Sequence, residues 1–469
     1  MMPDVAYHPL RMDRTICPAE SPSARVLLRQ ITALALPVMG EHVLHMIVGL
    51  VSTYVANHLP HEPAASASAV STVSYFLWLI GLTTSALGVG ATVLIARARG
   101  ARHASLANSV CGQAIAATAM LGIVVGAVVW AEAGLLVKLA ALRGSAPALA
   151  EHYLRLVAFS IPLCTVLFVA NAALRGAGDT LTPALAMFVV DAVNILLTFT
   201  LAWGWFGIPA LGFAGIAWGT TVSYVVGGVL QLVVLLLGRG GLRLYVHRLR
   251  PHWLTLKRIV RIGIPAGVEG LLVWAAQFAV LRIINAMDPT NRIPTAHGNA
   301  IRLEAISYMM GFAVATAATT LVGQSLGARD PRRAARCAWL SFAAGGGLMT
   351  VLGAVFIIVC RPLAAWMSSD PVIADLTAWC LWLAGFSQTG FAAAIIFGGA
   401  LRGAGDTLAV MVLNLFSIIV LRLTAVILVV RVGGGGLIAV WLVLCGELLC
   451  RGALLCMRFL QGRWRHIEV

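Results

Sequence analysis

Charged side chains are scarce in this sequence, and acidic ones are the scarcest. Only 11% of its 469 residues are charged, with 18 Asp and Glu against 33 Lys and Arg, while 60% are hydrophobic. A mean hydropathy of +0.92 excludes a water-soluble protein. The sequence also lacks the His-Glu-x-x-His motif and paired aspartates at catalytic spacing, which disfavours an intramembrane enzyme.

Metal-binding patterns are missing as well. The nine cysteines form no Cys-x-x-Cys pair, and most are expected to pack as small apolar residues inside spans. His42 and His45 share a helix face, and His58 and His61 follow, but no group of carboxylates or thiolates completes a metal site there. We therefore expect no metal and no cofactor.

Long apolar runs are what the sequence has instead. A helix of about 20 residues crosses the hydrocarbon core of a bilayer, and about twelve runs reach that length. The sequence predicts an all-α polytopic membrane protein of the cell membrane. The predicted spans lie near 31–56, 66–96, 108–130, 152–173, 181–203, 212–238, 260–286, 298–325, 335–360, 373–399, 408–430 and 436–460.

The two halves of the sequence are copies of one unit. Leu174–Thr180 reads LRGAGDT and returns letter for letter at Leu401–Thr407. A Pro-x-x-x-Glu segment at 37–41 is answered by one at 265–269, at nearly the same spacing along the chain. A duplicated membrane unit is typical of transporters, whose halves enclose the substrate site.

Basic residues collect in the connections on one side of the predicted spans. Arg25 and Arg29 precede span 1, and Arg97, Arg99 and Arg102 join spans 2 and 3. The positive-inside bias places these connections and both termini in the cytoplasm, which requires an even number of spans. Each half then has six spans, and the two halves cross the membrane in the same sense.

These assignments predict two six-helix bundles, related by a pseudo-two-fold axis and enclosing a central cavity. We expect a cytoplasmic tail at 1–29, the N-terminal bundle at 30–238, a basic linker at 239–258, the C-terminal bundle at 259–461 and a tail at 462–469. Since membrane orientation accounts for the net charge of +15, no nucleic-acid partner is expected. The expected partners of the chain, taken as a monomer, are the lipid bilayer and a small amphipathic substrate.

The repeated LRGAGDT segment has a structural interpretation. Arg175 and Arg402 are expected in the last turns of spans 4 and 10, where a cation meets exposed carbonyls and cytoplasmic water. The glycines allow a sharp reversal, and Asp179 or Asp406 can cap the next helix. We expect a tight turn on the inner face without chemistry.

Ionisable groups inside the spans indicate function, because a charge near the bilayer centre persists only where it faces a cavity or a partner. Glu41, His45 and Ser52 of span 1 fall on one stripe at about 100° per residue. Glu41 with His45 is either a relay of two titratable groups or a neutral hydrogen-bonded pair. Glu269 mirrors Glu41 in span 7 and has no cation one turn away, so it is our first candidate for binding the coupling ion or a cationic substrate.

A second polar stripe follows span 5. Asp191, Asn194 and Thr198 lie on one helix face by the same arithmetic. Asp191 also has no cation one turn away. We therefore add these three residues to the predicted site for the coupling ion or the substrate.

Further charges lie in the spans of the second half. Arg302 and Glu304 of span 8 point about 200° apart on a helix, so each is expected to contact a neighbouring span. Arg422 of span 11 either neutralises a carboxylate across the C-terminal bundle or attracts an anionic substrate; Arg302 and Arg422 are thus possible cavity charges. Glu447 and Arg451 of span 12 are expected to pair with each other.

Five kinds of sequence stretch point to a known family: LALP at 34–37, IPALGFAGIAWGT at 208–220, GIP-x-x-x-E at 263–269, LVGQ-x-LGA at 321–328 and both LRGAGDT segments. Through them the chain resembles, from about residue 30 to 460, the multidrug and toxic compound extrusion (MATE) family of the multidrug/oligosaccharidyl-lipid/polysaccharide exporter superfamily. The resemblance implies a two-bundle antiporter whose central cavity opens alternately to each side. Such an antiporter expels amphipathic compounds, often organic cations, against an inward flow of H⁺ or Na⁺.

The chain departs from the family's pattern in its first half. Family members commonly carry an aspartate in a Leu-Val-Asp-Thr context in span 1, where this chain has Ser52, and Asn-x-x-x-Asp in span 5, where Asn194 is followed by Thr198. Glu41 and Asp191 are candidates for a relocated proton site. The span 7 glutamate that many relatives keep is present as Glu269.

The function predicted from the sequence is therefore a cation-coupled antiporter that exports amphipathic compounds. The alternative within the superfamily is a flippase for a lipid-linked precursor. A flippase needs a strongly cationic cavity, which only Arg282, Arg302 and Arg422 could supply.

Overall fold

A computed structural model describes residues 22–140, 142, 144–207, 209–249, 251–288 and 290–467, which are mostly helical and contain no β-strand. Helices of the first half are α1 (Ala24–Asn57), α2 (Pro63–Gly100), α3 (Ala104–Ala131), α4 (Ala133–Leu139), α5 (Ala146–Ala158), α6 (Ile161–Ala177), α7 (Leu181–Trp203) and α8 (Phe213–Leu237). Those of the second half are α9 (Trp253–Met287), α10 (Arg292–Gly327), α11 (Pro331–Met367), α12 (Pro371–Gly403), α13 (Thr407–Leu415), α14 (Thr424–Arg431) and α15 (Leu437–Leu460).

The number of membrane spans agrees with the predicted twelve. Within the described residues, eleven helices are long and apolar enough to cross a bilayer, and α5 with α6 makes a twelfth if the bent pair is one span. The pair bends by 62° where Pro162 opens α6, because a proline cannot donate to the preceding turn. Between α13 and α14 the chain is π-helical over Phe416–Leu423, so span 11 is continuous but locally widened.

Two boundaries differ from those expected from the sequence. Helix α1 already begins at Ala24, where Ser23 Oγ accepts the N–H of Val26 at 3.5 Å; residues 1–21 of the predicted tail lie outside the described part. Helix α9 begins at Trp253, inside the segment that its charge marked as linker. The positions of charged residues show where the chain leaves the hydrocarbon core. The helices continue beyond that point into the aqueous layer, so their ends differ from the boundaries set by charge.

Each LRGAGDT segment ends a helix on a left-handed glycine. The backbone φ is 97° at Gly178 and 88° at Gly405, a conformation open to a residue without a Cβ. Asp179 accepts an N–H in the first turn of α7 at 3.0 Å, as predicted. Asp406 instead pairs with Arg458, 2.8 Å away. The tight reversal expected from the sequence is present in both halves.

Helices α1 and α9 each pack on both bundles. Leu27 and Ile31 of α1 belong to a core built by α10, α11 and α12, whereas Val55 at its other end packs with α2 and α5. Likewise, Ile259 of α9 packs in the core of the first bundle, whereas Ile284 packs in the second. Pro37 and Pro265 lie inside these two helices.

The C-terminal segment is anchored by Trp464. Its side chain is fully buried, stacks on Phe459 with ring centroids 4.8 Å apart, and donates its indole N–H to the Phe459 carbonyl at 2.7 Å. Trp464→Ala should lower the thermal melting temperature in detergent, since truncating a buried Trp costs about 3–5 kcal/mol. Trp464→Phe is the matched control; equal melting temperatures for the alanine variant and the wild type would contradict the anchoring role.

Candidate functional site

A cavity of about 780 Å³ lies between the two bundles. Helices α1, α2 and α5 to α8 line it from the first half, and α10 and α12 from the second. Most of the lining is apolar or carries hydroxyl groups. Its basic members are two histidines and two arginines, and no acid lines it within the described chain. These four are His42, His45, Arg175 and Arg402.

The first arginine of the cavity is paired with a carboxylate of α1. Both oxygens of Glu41 accept hydrogen bonds from Arg175 Nη2, at 2.5 and 2.6 Å. The two side chains are 12% and 20% exposed, and Arg175 also faces the cavity. A charge-assisted pair of this kind is strong in a low-dielectric interior.

The second arginine repeats this arrangement in the other bundle. Arg402 Nη2 lies 2.5 Å from Glu269 Oε1, which also accepts a hydrogen bond from Asn414 Nδ2 at 2.6 Å. Glu269 Oε2 and Asn414 Oδ1 are buried and have no hydrogen-bond partner within the described residues. Two oxygen acceptors without donors at one place suit an additional proton or a small cation.

The expectation that the arginines of LRGAGDT meet cytoplasmic water was wrong. Arg175 and Arg402 do not end in cytoplasmic water; each reaches a carboxylate on the Pro-x-x-x-Glu helix of its own half. Glu41 and Glu269 are consequently not the isolated acids that the sequence suggested. The signal was available, because both motifs recur together and the pairs are separated by nearly the same distance along the chain, 134 and 133 residues.

The predicted stripe on α7 faces the interior of the first bundle. Asp191 is 4% exposed and forms no ion pair within the described residues. Its Oδ2, Asn194 Oδ1 and Thr198 Oγ1 are all buried without a hydrogen-bond partner there. Asn194 also lines the cavity and donates to Ser223 Oγ at 3.3 Å. Of the three acids predicted for the site, Asp191 is the one that no cation pairs with in the described chain.

The predicted stripe on α1 also reaches the cavity. His45 and Ser52 both line it, together with His42. Within the described residues no hydrogen bond joins His45 to Glu41, whose oxygens are taken by Arg175. The two residues are therefore neighbours along the cavity wall and not a bonded pair.

The two arginines predicted as cavity charges lie elsewhere. Arg302 is exposed on the outside of α10, and Arg422 is buried in the second bundle, where its Nη2 lies 2.5 Å from Glu447 Oε2. Arg451 shares that carboxylate at 3.2 Å, so the expected Glu447–Arg451 pair has a third member. Glu304 accepts a hydrogen bond from an amide of α12 at 3.2 Å, in line with the predicted contact to a neighbouring span.

One end of the cavity is closed by contacts between the bundles, on the side of the basic connections. Arg97 of α2 donates to the carbonyls of Ala404, at 2.8 Å, and Ile467, at 3.0 Å. Gln324, which occupies the position equivalent to Arg97 in the second half of the repeat, donates from α10 to the carbonyl of Gly176 at 3.3 Å. Each bundle thus bonds the LRGAGDT turn of the other, and we call this set of contacts the seal.

Two glycines allow the helices of the seal to touch. A Cβ added to Gly100 would collide with the backbone carbonyl of Gln324, and one added to Gly327 with that of Arg97. These two glycines are also equivalent positions of the internal repeat. From the seal, the cavity extends toward the other ends of the helices, as far as Ser52 of α1 and Val70 of α2.

Comparison with protein families matches one family model, described as MatE, to both halves of the chain, at residues 37–200 and 265–427. The two matches together cover more than half of the sequence. The chain belongs to the MatE family. It is a multi-pass membrane transporter and not an enzyme, and the resemblance predicted from the sequence is confirmed.

Several multidrug resistance proteins are similar to this MatE chain along most of their length. The probable multidrug resistance protein NorM of Thermotoga maritima is 28% identical over 444 residues, which are 93% of each chain. Multidrug resistance protein PmpM of Pseudomonas aeruginosa is 26% identical over 398 residues, 84% of this chain and 82% of its own. The crystal structure of a mutant of the Vibrio cholerae MATE transporter VcmN superposes with a TM-score of 0.85 at 17% identity, covering 93% and 97% of the chains, which confirms the fold.

The seal of this MatE chain can be weakened without touching the cavity. Arg97→Gln removes two hydrogen bonds from a charged donor, each worth about 1.5–3 kcal/mol. Amide hydrogen exchange should become at least several-fold faster over residues 320–327, at the contact with α2. Arg155→Gln is the control, since Arg155 pairs with Glu151 on its own helix. Unchanged exchange in Arg97→Gln would show that these bonds do not hold the bundles together.

Proposed function

We propose that the chain is a cation-coupled antiporter that exports amphipathic compounds, organic cations included, by alternating access. Its relatives in Thermotoga maritima and Pseudomonas aeruginosa are named as multidrug resistance proteins. The observation that carries the proposal is the cavity between the bundles, closed at one end and bordered by a Glu–Arg pair from each half. The coupling ion is H⁺ or Na⁺.

Charge balance at these pairs explains why ion and substrate exclude each other. With Glu269 ionised, Arg402 is neutralised, and the cavity can accept an uncharged or cationic amphiphile. A proton or Na⁺ on Glu269 leaves the guanidinium of Arg402 uncompensated at the cavity wall, where it repels an organic cation. Glu41 and Arg175 form the equivalent pair in the first bundle.

The membrane potential makes this exclusion useful. For an uncharged substrate, one ion that enters per substrate exported moves one net charge, which through 100 mV is worth about 2.3 kcal/mol and corresponds to a substrate gradient of roughly 50-fold since about 1.4 kcal/mol is tenfold. Exchange of one ion for one singly charged cation moves no net charge, so the concentration gradient of the ion drives it. Aromatic side chains in the lining can hold a cationic substrate by attraction to their ring faces. They are Trp78, Tyr153, Phe168, Tyr224 and Phe312.

The proposed orientation has both termini in the cytoplasm, so the seal is cytoplasmic and the structure faces outward. Arginines of the α2–α3 and α10–α11 connections lie at the sealed end, as the positive-inside bias requires. Protease digestion of sealed, right-side-out membrane vesicles tests this assignment. Cleavage at the basic segment 239–252 without opening the vesicles would reverse the orientation.

Transport in proteoliposomes tests the proposed function. A cationic dye should accumulate when a proton or sodium gradient of the correct direction is imposed, and a protonophore or sodium ionophore should abolish the accumulation. The purified chain should respond to one of the two gradients, which identifies the ion. Failure of both gradients to drive the dye, together with movement of a lipid-linked precursor between leaflets, would replace the antiporter with a flippase.

A further inference from the structure

A second, smaller cavity of about 350 Å³ lies at the inner end of α2, beside the seal. It is separate from the central cavity and is formed where α2, α3, α6 and α10 meet. The sequence assigns no role to this place beyond membrane orientation. The residues that line it are Arg99, Arg102, Ala104, Ala177 and Gln324.

The two arginines of this pocket are not neutralised. Neither forms an ion pair within the described part of the chain. Arg99 donates one hydrogen bond, to the Gly241 carbonyl at 3.3 Å. Arg102 makes no side-chain hydrogen bond within the described residues and is exposed. Two guanidinium groups with most of their donors free, on a concave surface, attract an anion.

The start of α3 adds to the positive character of the pocket. Helix α3 is 28 residues long, and its N-cap, His103, makes no side-chain capping bond. Its first turn contains no acidic residue, and Ala104 of that turn lines the pocket. The free backbone N–H groups and the positive end of the helix dipole therefore point to the same place as the arginines.

We propose that this pocket binds the phosphate group of an anionic membrane lipid. Arginine forks and free helix N–H groups match the tetrahedral oxygens of a phosphate. The pocket lies at the α2–α3 connection, on the side where basic residues collect, which the positive-inside bias assigns to the anionic cytoplasmic leaflet. A phosphodiester with one negative charge suits the site because two guanidinium groups can share its oxygens.

Binding there favours the sealed state. Arg99, Arg102 and Ala177 belong to the first bundle, whereas Gln324 belongs to the second and bonds the Gly176 carbonyl across the seal. A headgroup that touches both sides is lost when the bundles part. By linkage, a ligand that binds only the closed arrangement stabilises it. This consequence rests on the alternating access of the proposed function, whereas lipid binding itself does not.

Binding is tested in nanodiscs of phosphatidylcholine with and without phosphatidylglycerol. Phosphatidylglycerol should raise the melting temperature of the wild-type chain, and native mass spectrometry should find bound phosphatidylglycerol. The double variant Arg99→Gln/Arg102→Gln should lose at least half of both effects. The control is Arg329→Gln, because Arg329 is the equivalent of Arg102 in the second half and shares its left-handed backbone, with φ of 59° against 60°, but does not line the pocket. If the double variant is unstable, Arg102→Gln alone is used, because that side chain is exposed.

The remaining arms separate the possible outcomes. Inorganic phosphate added to phosphatidylcholine nanodiscs should have little effect; an equal rise in melting temperature that the variant loses would replace the lipid with free phosphate and overturn the proposal. An equal effect of phosphatidylglycerol on wild type and variant would also overturn it. The double variant could lose lipid binding while the wild type fails to transport dye. That combination would support the lipid site and contradict only the antiporter function.

Discussion

Replacing Glu269 by glutamine is expected to abolish substrate-driven movement of H⁺ or Na⁺ while the chain remains folded. The amide cannot take up or release a proton, and it offers a cation no negative charge. It also leaves Arg402 uncompensated beside the cavity, so affinity for a cationic dye should fall at least tenfold. The measurement is ion flux and dye flux in the same proteoliposomes.

A second substitution separates these two effects. In Glu269→Gln/Arg402→Gln the charge balance of the cavity wall is restored, and dye binding should return although coupling does not. The double variant should then carry dye down its own gradient, independent of the imposed ion gradient. If Glu269→Gln keeps the coupling ratio of the wild type, Glu269 has no part in the mechanism, and Asp191→Asn becomes the next variant to measure.

Substituting Gly100 or Gly327 by alanine is expected to abolish transport. The substitution acts by disrupting the seal and leaves the cavity lining unchanged. The new Cβ meets a backbone carbonyl of the facing helix in each case, and backbone cannot move aside as a side chain can. The bundles would be held apart at the sealed end of the cavity, so the closed seal could not form. Dye transport should fall at least tenfold, while substrate still reaches the cavity through the opened seal.

Gly347 of α11 provides the matched control, since a Cβ there meets nothing within 4 Å. Alanine favours a helix over glycine by about 1 kcal/mol, so Gly347→Ala should be as stable as the wild type or more so and transport normally. Normal transport in Gly100→Ala and Gly327→Ala would mean that the seal is not this tight in the working protein.

Much of the fold could be predicted because hydrophobic length and repetition are properties of the chain itself. Twelve spans and a duplicated unit follow from apolar runs and from the LRGAGDT copies. The bend between α5 and α6 could not be read in the same way, since Ser160 and Pro162 interrupt a run that remains apolar. Helix ends also differ from the predicted ones, because hydrophobicity and charge do not show where a helix begins. Helix α9, for example, begins at Trp253, inside the predicted linker.

The candidate site was only partly predictable. Glu41, His45, Ser52 and Asn194 reach the cavity wall or its edge because polar residues in a span avoid lipid. The partner of a side chain on another helix depends on which helix faces meet, and the periodicity of the sequence does not give that information. The sequence alone therefore assigns Arg175 and Arg402 to water. Arg302 shows the converse, since it is exposed on α10 and does not line the cavity.

The contact between Arg97 and the Ile467 carbonyl has a practical consequence for anyone handling this transporter. A purification tag or fluorescent reporter appended after residue 469 would begin two residues after the Ile467 carbonyl, which accepts a hydrogen bond from Arg97 at the seal. We expect such a fusion to weaken the hydrogen bond between Arg97 and the Ile467 carbonyl, and through it the contact between the bundles.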